Sequence, residues 1–102
     1  MGFFGSQKKK ALPSVADVFS TEDLQRIGEV IGPKRDSKSY KMRYRDLADH
    51  IMWVVEAPEK SYTKREWNGI IYAAGAMTKL EPELAPMLKA AIERFHAFRK
   101  NR

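Results

Sequence analysis

The chain has 102 residues, 43% hydrophobic and 31% charged, with 19 Lys and Arg against 13 Asp and Glu and a formal charge of +6. That is the length of one small domain, with apolar material for a single modest core but not for a large catalytic cleft besides. The lack of cysteine excludes a disulfide framework, a thiolate zinc site and a Cys nucleophile, and no apolar run approaches the roughly 18 residues of a membrane span. A reducing, cytoplasmic setting fits this usage.

Residues 1–12 read as a short flexible basic tail ahead of a single helical domain, 13–102, because Gly, Ser and the run Lys8, Lys9, Lys10 offer no helical period. Phe3 and Phe4 beside Lys8, Lys9 and Lys10 would give only a weak, reversible membrane contact, so peripheral membrane association through this segment ranks below the other readings. Gly2 and Ser6 match the outline of an acylation site, with the bulky Phe3 against it. Ser14 caps a short turn, Val15 to Phe19. Ser20 followed by Asp23 then forms a capping-box start, with Phe19 and Leu24 at staple positions. The spacing of Leu24, Ile27 and Ile31 predicts a helix over 21–31, closed by Gly32 as a left-handed cap and Pro33 as a stop. The polar stretch 33–39 reads as an exposed loop.

A second helix is predicted over 40–56, with Tyr44, Leu47, Ala48, Ile51 and Val55 on one face. Met42 and Trp53 fall on the opposite side beside Asp46 and Asp49. That pattern suits either burial or a small apolar protein interface with an acidic rim. After a linker at 57–61 containing Pro58, Thr63 and Glu66 make the clearest capping box, flanked by Tyr62 and Trp67. The helix it opens extends to Leu80 and reads as the central one, with Gly69 and Gly75 marking close approach of a neighbour. Pro86 fits a first helical position, and the last helix carries Leu88, Ala91, Ile92, Phe95 and Phe98 as far as Lys100. No strand-like alternation occurs. The expected fold is all-α, a compact bundle of about four helices.

Charge is segregated along the chain. Residues 33–46 carry net +4 and residues 89–102 net +4, whereas 17–32 and 47–59 each carry net −3. Lys34, Arg35, Lys38, Lys41, Arg43 and Arg45 form the first cluster, and Tyr40 stands among them as a ring able to stack on a base. Arg99 and Lys100 represent the second. The expectation is a non-enzymatic protein that binds nucleic acid or another polyanion electrostatically. The alternative is an adaptor for an acidic protein partner, or a homodimer, acting through Met42 and Trp53.

The segment Tyr44 to Ile51 has the pattern of the first helix of a helix-turn-helix. The stretch from Val55 to Thr63, however, is too long and contains Pro58 where a tight turn is needed. Were that motif present, Lys64, Arg65 and Asn68 would open the recognition helix and reach bases or phosphates. Asp46 and His50 stand at i, i+4 with Asp49 adjacent, but His96 lies in another helix and no nucleophile, metal-ligand spacing or Gly-rich phosphate loop completes a site. Arg45 with Asp49 as a local salt bridge explains these residues more simply. No catalytic residue, metal or cofactor is expected.

Overall fold

The computed structural model describes residues 12–100. The segment with Phe3, Phe4 and Lys8 to Lys10, the Gly2 and Ser6 pair and Arg102 lie outside them. Among the described residues all regular structure is helical: α1 (Val15–Val18), α2 (Thr21–Asp36), α3 (Met42–Glu56), α4 (Lys64–Leu80) and α5 (Ala85–Lys100), with a 3₁₀ turn at Pro82–Leu84 before α5. None of these helices is long and apolar enough to cross a membrane.

Three helix starts follow from local chemistry. Ser14 with Asp17, Ser20 with Asp23 and Thr63 with Glu66 each form a complete capping box, the hydroxyl accepting from the N3 amide and the N3 carboxylate accepting from the N-cap amide. Each cap contributes on the order of 1 kcal/mol, and at the start of α2 Arg94 of α5 adds a tertiary bond, donating to the Asp23 carboxylate at 2.9 Å. The backbone amide of Thr63 holds the Glu66 carboxyl below its ordinary range, and Lys60 adds to that.

The end of α2 departs from expectation. Gly32 adopts no positive φ and the helix runs on through Pro33 to Asp36, a full turn past the predicted stop. Pro33 removes one backbone donor, and the turn beyond it is held from outside. Lys34 reaches Glu81 at 2.8 Å, and Arg35 reaches Glu56 at 2.8 Å. These tertiary ion pairs outweigh a local stop signal, and the loop shortens to 37–41. The second predicted helix accordingly starts at Met42 rather than Tyr40, with Lys41 as an N-cap that makes no side-chain hydrogen bond. Pro86 is the second residue of α5 rather than the first, still inside the first turn where its missing donor has no helical partner to lose.

From α2 to α5, consecutive helices run antiparallel. Gly28 meets Val55 and Gly32 meets Met52 between α2 and α3, and Gly69 meets His50 between α3 and α4. Trp67 meets Phe95 between α4 and α5, with ring centroids 5.3 Å apart. α4 therefore lies between α3 and α5, and its Trp67, Ile70, Ala74 and Met77 are fully buried, as its apolar stripe requires.

At Gly69 the predicted close approach is real: a Cβ there would stand 2.9 Å from Cδ2 of His50. At Gly75 it is not, since nothing lies within 4 Å of the corresponding position. The reason is directional. Gly69 faces α3, whereas Gly75 faces an open groove.

One end of the bundle is aromatic. Tyr62 packs edge-on to Trp67 at 6.0 Å and parallel to Trp53 at 6.5 Å. The Tyr62 hydroxyl donates to the carbonyls of Trp53 and Ala57 at 2.7 and 2.9 Å, which closes the C-terminus of α3. The other end carries Glu81, the one buried charged residue among those described.

Candidate functional site

The cluster between 34 and 45 divides into two groups once folded. Lys34 and Arg35 are internal ties. Lys34 Nζ donates to both carboxylate oxygens of Glu81 at 2.8 Å, and the Tyr44 hydroxyl donates to the same carboxylate at 2.6 Å. Hydrogen bonding to Glu81 raises the Lys34 ammonium above its ordinary value despite some loss from burial. Burial, then the bond to Glu81, drives the Tyr44 hydroxyl far above its own. Arg35 is bound by Glu56 and Asp36 and lies 3.9 Å from Asp49. Asp49 thus faces Arg35 across the helix interface instead of the predicted Arg45 on its own helix.

Lys38, Lys41, Arg43 and Arg45 form no ion pair with any described residue. Arg45 borders a shallow depression shared with Asp36, Asp46 and Asp49, so its surroundings are of mixed charge. Arg43 differs. It lines an open groove of about 500 Å³ whose lining also includes the apolar Leu47, Ile71 and Ile92 and a second cation, Lys79. It also borders a second hollow of about 460 Å³ beside Tyr40 and Lys41. The side chains flanking these hollows include Tyr40, Tyr72 and Leu80, which are 37%, 64% and 49% exposed, although each is a large hydrophobic residue. Tyr40 leans on Tyr44 with centroids 5.0 Å apart, which props its ring at the surface.

Tyr72, Lys79 and Leu80 belong to this face and were not among the residues singled out from sequence. A signal was present: Tyr72 and Lys79 are seven apart on α4, with Gly75 between them, on a side free of acidic residues.

The remaining expected residues lie elsewhere. Lys64, Arg65 and Asn68 are exposed on the first turns of α4. Lys79 is fifteen residues beyond Lys64, about 22 Å along the helix axis. Antiparallel packing puts Arg99 and Lys100, at the end of α5, at the same end of the bundle as Lys64. Arg99 lies over the Phe95 ring at 5.8 Å, with its Nε buried and unpartnered. The fold therefore does not bring the two basic clusters together. α3 meets α4 from His50 against Gly69 to Arg43 and Leu47 beside Tyr72, and the connection between them, residues 57–63, is longer than the tight turn of a helix-turn-helix.

Met42 and Trp53 are likewise separate. Eleven residues apart on α3, they stand about 16 Å from each other. Met42 is 70% exposed, and Trp53 is half-buried between His50, at 4.8 Å, and Tyr62.

His50 is occupied structurally. Its Nδ1 donates to the backbone carbonyl of Asp46 at 2.7 Å, not to a carboxylate, and its ring seats on Gly69. No group of three potential metal ligands occurs among the described residues. Comparison with protein-family models, with curated proteins and with solved structures finds no match for this chain.

Proposed function

We propose that this protein is a non-enzymatic binding module for a polyanion, nucleic acid being the chief candidate, and that its binding face is the Arg43 end of the bundle. Lys38, Lys41, Arg43 and Lys79 supply the charge. Tyr40 and Tyr72 supply ring surface.

The observation that carries this reading is a contrast within one cluster. Lys34 and Arg35 spend their charge on Glu81 and Glu56, whereas Lys41 and Arg43, a few residues on, have no ion-pair partner and border open hollows. Cations without protein partners gain most from phosphate, because each phosphate they neutralise releases counterions to the bulk. Lys64, Arg65, Arg99 and Lys100 form a second, separate basic end, which adds long-range attraction without joining the site.

Fluorescence polarisation with labelled oligonucleotides across a salt series tests the proposal. Four cations on a single strand predict a slope of log affinity against log salt of about −3. Exchanging Lys41 and Arg43 for Glu should weaken binding more than tenfold and flatten that slope, while the same exchange at Lys64 and Arg65 changes it little. Absence of binding at low salt, or equal loss from the two pairs, overturns the assignment.

A further inference from the structure

The two hollows that share Arg43 are chemically alike in one respect: each combines a cationic rim with an aromatic ring and an apolar wall. One holds Tyr40 and Lys41, the other Tyr72 and Lys79, and Arg43 and Leu80 border both. A surface built only to attract phosphate would have no use for the apolar walls. Phosphates are met by exposed cations on a polar face, and large side chains left at the surface cost solubility without adding charge.

Carboxylates are also distributed tellingly. The groove beside Tyr72 has none among its lining residues. The hollow beside Tyr40 has Glu81 alone, and that carboxylate is already engaged by Lys34 and Tyr44. Neither hollow therefore repels an anionic ligand. Gly75 leaves the floor of the Tyr72 groove open, since a Cβ there would meet nothing within 4 Å.

Resting on the polyanion reading above, we infer that the ligand is single-stranded nucleic acid, held with one unpaired base in each hollow and the intervening phosphate on Arg43. In a duplex the base faces are stacked on one another and only their edges are offered, so rings and apolar walls find nothing to cover. In a single strand each base presents a face, which can lie on Tyr40 in one hollow and on Tyr72 in the other. Arg43 is bordered by both hollows, so it meets the backbone where the strand passes between them. Lys41 and Lys79 take the flanking phosphates. An acidic peptide without aromatic residues would match the cations but brings no flat ring for each hollow.

The experiment compares four probes at one low salt concentration with the full-length protein. These are a mixed-sequence single strand, the same strand with abasic residues throughout, its duplex, and a poly-glutamate peptide. The single strand should bind at least tenfold tighter than the abasic strand, which carries the same phosphates. Tyr72→Ala should weaken the base-bearing strand by roughly five- to a hundredfold and leave the abasic strand unchanged. Tyr72 is 64% exposed, so an unchanged thermal midpoint should accompany that loss and separates it from unfolding.

Equal binding of the abasic strand, preference for the duplex, or equal binding of poly-glutamate overturns the two-base inference while leaving a polyanion site at Arg43 standing. Failure of all four probes to bind overturns both. Tyr40→Ala with the same selectivity as Tyr72→Ala supports two occupied hollows, and insensitivity at Tyr40 overturns the claim for that one.

Discussion

The two ends of this bundle are built from different materials. At the end where α3 closes and α4 opens, the chain buries Tyr62, Trp67 and Phe95 and half-buries Trp53, and it caps α4 with a complete Thr63–Glu66 box. At the opposite end it buries a carboxylate, Glu81, with a lysine and a tyrosine upon it, and opens α3 on an N-cap whose side chain makes no hydrogen bond. The first end is held mainly by apolar and aromatic burial, and it leaves the Trp67 Nε1 and the Arg99 Nε buried without a partner. The second leaves cations without partners, including Arg43 and Arg45 in the first turns of α3, where the helix dipole is positive and acidic residues would serve better. A helix start that is electrostatically unfavourable in the free protein becomes favourable when an anion arrives. Local stability has been given up where the proposed ligand binds.

The largest effect should come from the aromatic end. Trp67→Ala removes a side chain with no exposed surface and contacts to Tyr62 and Phe95, and should cost about 3–5 kcal/mol, read as a fall in the denaturant midpoint. A much smaller loss would mean that the aromatic end is not the stability centre and would break the contrast.

Next comes the buried carboxylate. Glu81→Ala leaves the Tyr44 hydroxyl buried without an acceptor and frees Lys34, at a cost of about 2–3 kcal/mol, discounted because Lys34 is partly solvated. The same cluster gives a pH signature. Tyr44 and Lys34 both have folded-state values above their unfolded ones, so their contribution is complete below the unfolded values and is lost as pH rises past them. Stability should therefore decline from about pH 10 upward. Tyr44→Phe should be less stable at neutral pH by about 1 kcal/mol and show a shallower alkaline decline. An unaltered decline in that variant would remove Tyr44 from the account.

Two glycines on α4 sharpen the comparison at a finer scale. Gly75→Ala should stabilise the helix by up to about 1 kcal/mol, since only backbone entropy is at stake. Gly69→Ala gains the same entropy but drives a methyl into the His50 ring, which is tethered by its bond to the Asp46 carbonyl, and should be destabilising overall. Paired thermal melts decide the sign of each.

The smallest effect tests the trade directly. Lys41 has the extended backbone of an N-cap, so Lys41→Asp should supply the missing cap and raise stability by about 0.5–1 kcal/mol while weakening oligonucleotide binding. A variant that gains stability with no loss of binding would detach the poorly capped helix from function.

What the sequence revealed follows the range of the forces involved. The caps at Ser14, Ser20 and Thr63 were legible because a hydroxyl and a carboxylate three residues apart satisfy backbone amides within one turn. The stripe of α4 was legible because Trp67, Ile70, Ala74 and Met77 recur with the helical period. The end of α2 was not legible because Gly32 and Pro33 are local signals, whereas Lys34 and Arg35 are held by Glu81 and Glu56, 47 and 21 positions away along the chain. The site was half legible for the same reason. Lys41, Arg43 and Tyr40 stand together in the chain, but Tyr72, Lys79 and Leu80 join them only through the antiparallel pairing of α3 with α4.

Pro33 has a further consequence for the time scale of motion. A proline inside α2 leaves the carbonyl of Glu29 without its helical amide, so the last turn of that helix is one rung short in its own ladder. Lys34 and Arg35 hold that turn from outside through charge, which dissolved ions weaken and which apolar packing at Ile27 and Ile31 does not depend on. The amides of residues 34–36 thus form a small unit that opens on its own, exchanging hydrogen for deuterium faster as ionic strength rises. The amides around Ile27 and Ile31 wait for the whole domain to unfold.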